Sequence, residues 1–178
     1  MKKALLISHD IGGFRPAFAY LAKKYKNLVC LVQGPALDEA SQNSINTINS
    51  LYEIELIEYD IYVSTSWASC FEKLHMKTLQ ECKFEWIGIL DNWTGYAERF
   101  VLDGIKYLPK QLIVFDEYAL KLCRTTFPSV QCKLVPNVFD LQFVRSYEKL
   151  QLLAIIEPEF DIFFSDPISE HHGNKLGY

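Results

Sequence analysis

"KALLISHDIGGFRP", residues 3–16, runs from an apolar stretch into a His, an Asp, two glycines, an Arg and a Pro. The apolar part, Ala4–Ser8, is too short for a helix and reads as a strand. Phe14, Ala17, Phe18 and Leu21 then follow at i, i+3, i+4, i+7 spacing, so the spacing predicts a helix over Phe14–Tyr25. Pro16 fits its first turn, where a missing N–H costs nothing. Strand, glycine loop and helix together make one β/α unit.

The same alternation continues along the chain. Strands are predicted at Leu28–Val32, Ile54–Glu58, Ile61–Thr65, Trp86–Asp91, Leu112–Asp116, Lys133–Pro136 and Phe160–Ser165. Helices are predicted at Leu37–Leu51, Ser69–Cys82, Thr94–Gly104, Glu117–Phe127 and Leu141–Ile156, with Gly104 and Pro128 as stop signals. Near-continuous hydrophobicity in KALLIS, NLVCLV, WIGIL and QLIVF suits strands covered on both faces. The expected fold class is therefore α/β, a three-layer Rossmann-like domain with a mostly parallel sheet of about seven strands. It would occupy residues 1–156. Residues 157–178 read as a C-terminal strand and tail, either the start of a second β/α domain or an edge strand followed by a tail on the surface.

Composition narrows the function classes. The chain has 178 residues, 49% of them hydrophobic and 22% charged, which is enough to bury a core without metal or disulfide support. A formal charge of −4 and no basic stripe argue against a nucleic-acid partner. No apolar run is long enough for a transmembrane segment and no cleavage site follows the Met-Lys-Lys start, so a cytoplasmic location is expected. Cys30, Cys70, Cys82, Cys123 and Cys132 are scattered without CxxC spacing and read as reduced core thiols. His171 and His172 are adjacent, a poor arrangement for one metal ion, and no metal site is expected.

In open parallel sheets, ligands bind outside the carboxyl ends of the strands, where loops converge and helix N-termini point their N–H groups. That rule selects His9, Asp10, Gly12, Gly13 and Arg15 after the first strand, and Ser64, Thr65, Ser66 and Trp67 after Ile61–Thr65 begins to turn. It also selects Asp91, Asn92, Trp93 and Thr94, then Asp116 and Glu117, then Pro136 and Asn137. Neither G-x-G-x-x-G nor the Walker loop occurs, so no dinucleotide or nucleotide cofactor is called for. Gly12 and Gly13 allow close backbone approach, and Arg15 suits an anion. A tight turn that merely needs glycine explains the same residues.

His9 or Asp10 is the best general-base candidate, although neighbours on a strand point opposite ways and a paired role requires that the strand has ended. Trp93 and Tyr96 offer flat faces for sugar or base rings, and Arg99 following at helical spacing is a substrate-binding candidate; alternatively Trp93 and Phe100 are core, with Glu98 and Arg99 on a solvated face. "STSWAS" (64–69) could hold phosphate oxygens or cap the next helix, and Asp116 with Glu117 could serve a ligand or only the helix dipole.

The series "LLISHDIGG", "YVSTSWAS", "ILDNWTGYAERF", "LPKQLIVFDEYA", "FPSVQCKLVPN" and "FFSDPISEHHGNKLGY" resembles bacterial surface-polysaccharide glycosyltransferases of the two-domain GT-B type. The resemblance implies the N-terminal, acceptor-binding half of a sugar-transfer site, with the second domain cut short or supplied by a partner or homodimer. It implies a sugar or glycan acceptor, a nucleotide-sugar donor as substrate rather than a cofactor, and His9, Asp10 and Asp91 as catalytic candidates. Arg15 would stabilise the departing phosphate. The alternatives are a non-catalytic or truncated sugar- or nucleotide-binding domain, and a nucleotide-sugar epimerase- or hydrolase-like protein.

Overall fold

The computed structural model describes residues 3–67, 69–142 and 145. In chain order the regular elements are β1 (Lys3–Ser8), α1 (Ile11–Lys24), β2 (Asn27–Val32), α2 (Pro35–Gln42), β3 (Thr47–Ile48), β4 (Tyr59–Ser64), α3 (Cys70–Glu81) and β5 (Trp86–Ile89). They continue with β6 (Val101–Leu102), β7 (Ile105–Lys106), β8 (Gln111–Val114), α4 (Glu117–Thr126) and β9 (Gln131–Leu134). Seven strands form one sheet in the order β3-β2-β1-β4-β5-β8-β9, all pairs parallel. The fold is the expected three-layer, Rossmann-like α/β arrangement.

Alternation along the strands builds two cores, one on each face. Leu5, Ile7, Ile61 and Val63 pack with Met76 and Leu79 of α3 and Ala119, Leu120 and Cys123 of α4. Ala4, Leu6, Cys30 and Tyr62 pack with Phe14, Ala17 and Leu21 of α1 and Ala36 and Ala40 of α2. Each central strand thus spends its odd and even side chains on different helices, as a doubly covered sheet requires.

Three expectations are corrected. Residues Ile54–Glu58 are not a strand: Leu51–Glu53 and Leu56–Glu58 are single 3₁₀ turns. β4 already begins at Tyr59, paired with Lys3, so no room remains for the crossover that a parallel neighbour would need. The helix expected over Thr94–Gly104 is a 3₁₀ turn at Glu98–Phe100 followed by the antiparallel hairpin β6–β7. Asp103 and Gly104 both have positive φ, 51° and 77°, the backbone that a two-residue Asp-Gly hairpin loop demands. Gly104 therefore turns a hairpin and stops no helix. α2 ends at Gln42 rather than Leu51, and Thr47–Ile48 pairs with β2 as a short sheet edge.

The last sheet strand lies at Gln131–Leu134, two residues before its predicted start. Cys30 and Cys123 are buried core thiols, but Cys70 and Cys82 are exposed at the two ends of α3, so the reading of all five as core thiols is corrected. Residues 138–142 are helical. The remainder of the helix predicted to Ile156, the strand Phe160–Ser165, His171 and His172 lie outside the described residues, as does the proposed second-domain start.

Candidate functional site

Because every strand of the sheet is parallel, all its carboxyl ends share one edge. The chain leaves β1 for β2 on one side and returns to β4 on the other, so β1 and β4 flank the topological switch point. The β1 loop (His9–Asp10) with the first turn of α1, and the β4 loop (Thr65–Trp67), emerge at that point.

β1 ends at Ser8, so His9 and Asp10 are released from strand alternation. They pair: His9 Nδ1 lies 2.9 Å from Asp10 Oδ1. Asp10 occupies the N-cap of α1 yet makes no side-chain cap bond, because its carboxylate is turned to the imidazole. The backbone of His9 is clasped from two sides. Its N–H donates to Glu72 Oε1 of α3 at 2.9 Å, and its carbonyl accepts from Ala36 N at the start of α2 at 2.9 Å. Gly34, with φ 57°, lies against the ring: a Cβ there would fall 2.6 Å from His9 Nε2. Only a glycine at 34 leaves room for the imidazole to pack there with Nε2 beside the backbone.

Gly12 and Gly13 open α1 beside Asp91. A Cβ on Gly13 would meet Ser64 Oγ at 2.5 Å, so glycine is needed there for the helix to close on β4. Ser64 Oγ is buried without a hydrogen-bond partner among the described residues.

Asp91, two residues after β5, anchors the segment that replaces the expected helix. Arg99 is 1% exposed, and its Nη1 donates to Asp91 Oδ1 and to the Thr65 carbonyl, each at 2.6 Å. Arg99 Nε donates to the Thr94 carbonyl at 3.0 Å and Nη2 to Asn92 Oδ1. Asn92 Oδ1 also accepts from Thr94 N and Thr94 Oγ1, each at 3.0 Å. Asn92 and Arg99, both substrate-binding candidates, thus hold the loop, and the alternative of a solvated face at Arg99 is corrected to a buried knot. Tyr96 and Phe100 belong to the core, so the flat face expected of Tyr96 is not offered at the surface.

Two indoles remain exposed. Trp67, 42% exposed, lies over Gly95, where φ is 58° and a Cβ would fall 2.4 Å from Trp67 Cδ1. Trp93, 56% exposed, donates Nε1–H to Asp116 Oδ2 at 2.9 Å and meets the Tyr118 ring edge-on at 5.6 Å. Asp116 also caps α4 by accepting from Ala119 N at 2.7 Å. Its two oxygens therefore serve the helix and the indole together.

Neither family models nor curated proteins nor solved structures match the chain.

Other predicted site residues take separate roles. Arg15 turns toward α2, where Nε and Nη2 donate to the two carboxylate oxygens of Glu39 at 3.0 and 2.8 Å. Those two residues line a cleft with Phe14, Phe18 and Phe139. Ser66 Oγ accepts from Ser69 N at 3.2 Å inside the β4–α3 turn. Glu117 is exposed in the first turn of α4, suited to the helix dipole. Asn137 accepts from Asp140 N at 3.2 Å and starts the helical residues 138–142. Among the described residues no cluster of His, Cys, Asp or Glu is arranged to hold a metal ion, and no helix is long and apolar enough to cross a membrane.

Glu72 and Gly34 were not selected from the sequence. Glu72 carries a signal, since Ser69–Glu72 is an S-x-x-E capping box. Gly34 carries a weaker one, the Gly-Pro step that opens α2.

Proposed function

We propose that this domain forms the acceptor side of a sugar-transfer site of the GT-B type, with His9 as general base. The observation that supports it most is the His9–Asp10 pair at the switch point, with the His9 side chain 30% exposed beside Gly34. Asp10 accepts the Nδ1 proton and so leaves the Nε2 lone pair to act as base. In the proposed reaction Nε2 takes the proton of an acceptor hydroxyl, the hydroxyl oxygen bonds to the anomeric carbon of a nucleotide-sugar, and the bond from that carbon to phosphate oxygen breaks. The phosphate leaves with the electron pair. Helix N-termini at the carboxyl edge are the candidates to stabilise its charge, since Arg15 is engaged by Glu39.

Trp67 and Trp93 favour a second reading, a sugar-binding domain without turnover, because exposed indole faces stack on sugar rings with no base required. One experiment separates the two. UDP-, CMP- and GDP-sugars and glycan acceptors are titrated into the full chain by calorimetry, and product is sought by mass spectrometry in wild type and His9→Ala. A dissociation constant below about 1 mM, a transferred sugar and its loss in His9→Ala support the transferase reading. Binding that persists with no product in wild type supports the binding domain. No binding by any sugar overturns both.

A further inference from the structure

The β4–α3 turn contains a capping box that does not close on itself. In an S-x-x-E box the N3 glutamate reaches back to the N-cap backbone N–H. Here Ser69 caps the helix through the N2 amide, its Oγ accepting from Phe71 N at 3.0 Å. The Ser69 N–H, however, is taken by Ser66 Oγ at 3.2 Å. Glu72, relieved of that bond, accepts instead from the backbone N–H of His9 at 2.9 Å, across 63 residues of sequence.

Glu72 is 0% exposed, and its Oε2 has no partner among the described residues. A buried carboxyl at a helix start, used on another element's backbone, is an expensive way to end a loop. A neutral side chain of the same shape, or an ordinary closed box, would serve α3 alone. What the diversion achieves lies at His9. With Glu72 on its N–H and Ala36 on its carbonyl, the peptide plane on each side of His9 is set, and the ring is delivered between Asp10 and Gly34.

We propose that Glu72 is the positioning residue of the His9–Asp10 pair: its carboxyl oxygen fixes the His9 backbone so that Nδ1 meets Asp10 and Nε2 lies beside Gly34. This deepens the proposed function and rests on it only for the use made of Nε2. Burial raises the Glu72 proton affinity, with the Asp10 charge adding to that effect, while the hydrogen bond from the His9 backbone opposes it. The neutral acid still offers its carbonyl oxygen to the His9 N–H, so Glu72→Gln is a conservative replacement and Glu72→Leu removes the acceptor.

The test reads the tautomer of His9 by ring ¹⁵N shifts in the full chain, assigned with His9→Gln. The neutral ring is expected as the Nδ1–H form in wild type and in Glu72→Gln. In Glu72→Leu it reverts toward the Nε2–H form that free imidazole side chains prefer. A folded Glu72→Leu that keeps the wild-type tautomer overturns the proposal, as does a wild type found in the Nε2–H form. If Glu72→Leu does not fold, amide exchange of wild type decides. Protection of the His9 amide by about tenfold or more over a free loop amide, together with an unchanged tautomer in Glu72→Gln, supports the proposal. An unprotected His9 amide, or a changed tautomer in Glu72→Gln, overturns it. None of these readouts needs a sugar, so failure to bind nucleotide-sugars would remove the transferase reading and leave this result standing.

Discussion

Arg99 Nη1 lies 2.6 Å from Asp91 Oδ1, with Arg99 1% exposed and the carboxylate two residues after a central strand. The pair joins β5 to the irregular segment after it, and through the Thr65 carbonyl it reaches the β4 loop as well. Removing one member leaves a buried charge without its counter-charge. Arg99→Met is expected to lower unfolding free energy by about 3–5 kcal/mol in urea denaturation. Arg99→Lys should cost less than Met but still more than about 1 kcal/mol, since one ammonium cannot reach Asp91, Asn92, Thr65 and Thr94 together. Equal stability of Arg99→Met and wild type would show that the knot contributes nothing.

A methyl group at Gly13 would collide with Ser64 Oγ. Gly13→Ala is expected to destabilise by about 1–3 kcal/mol, although Ala is otherwise the better helix residue. Ser64→Ala removes both the obstacle and a buried hydroxyl without a partner, so alone it should be neutral or stabilising. The double variant should then recover at least about 1 kcal/mol relative to the sum of the singles, measured as a double-mutant cycle. Strict additivity would place the collision elsewhere.

Glu72 gives the fold a pH signature. Its folded-state proton affinity is raised, chiefly by burial, so the unfolded chain ionises first as pH increases. Its contribution to stability is complete below the ordinary glutamate range and is lost as pH rises through the folded value. Glu72→Gln does not titrate. The difference in melting temperature between Glu72→Gln and wild type should therefore be small at pH 4 and grow in favour of the variant toward pH 7. A difference that is flat across this range would count against a buried carboxyl at 72.

Gly34 and Gly95 act on the site rather than on the core. Each has positive φ, and a Cβ on each would strike a ring, that of His9 or of Trp67. Gly34→Ala and Gly95→Ala should each cost about 1–3 kcal/mol from backbone strain and contact. They should separate in what else they change: Gly95→Ala shifts the indole fluorescence, and Gly34→Ala shifts the His9 ring signals. Swapped signatures would refute the two packings.

Much of the scaffold was legible because buried parallel strands must be apolar on both faces, and KALLIS, NLVCLV, WIGIL and QLIVF are. The carboxyl-end rule placed His9, Asp10, Asp91 and Trp93 on one edge for the same reason. Periodicity failed at Thr94–Gly104, where tertiary contacts of Arg99 and a local Asp-Gly turn outweigh a helical spacing of aromatic residues. The direction of Arg15 was hidden because its partner, Glu39, lies a whole β-strand away in sequence. Glu72 was hidden for the same reason, its box being visible and its diversion to His9 not.

The crossover from β5 to β8 contains no α-helix among its regular elements, only a 3₁₀ turn and a two-stranded hairpin. A helix can form its first turn from neighbouring residues; this segment takes its shape from Arg99 bonds that reach Thr65, 34 residues away. It cannot be its own template. Its partners sit on the β4 loop and just after β5, so the form of the wall carrying Trp93 depends on the sheet behind it. A peptide spanning 90–110 would carry the residues of that wall without its form.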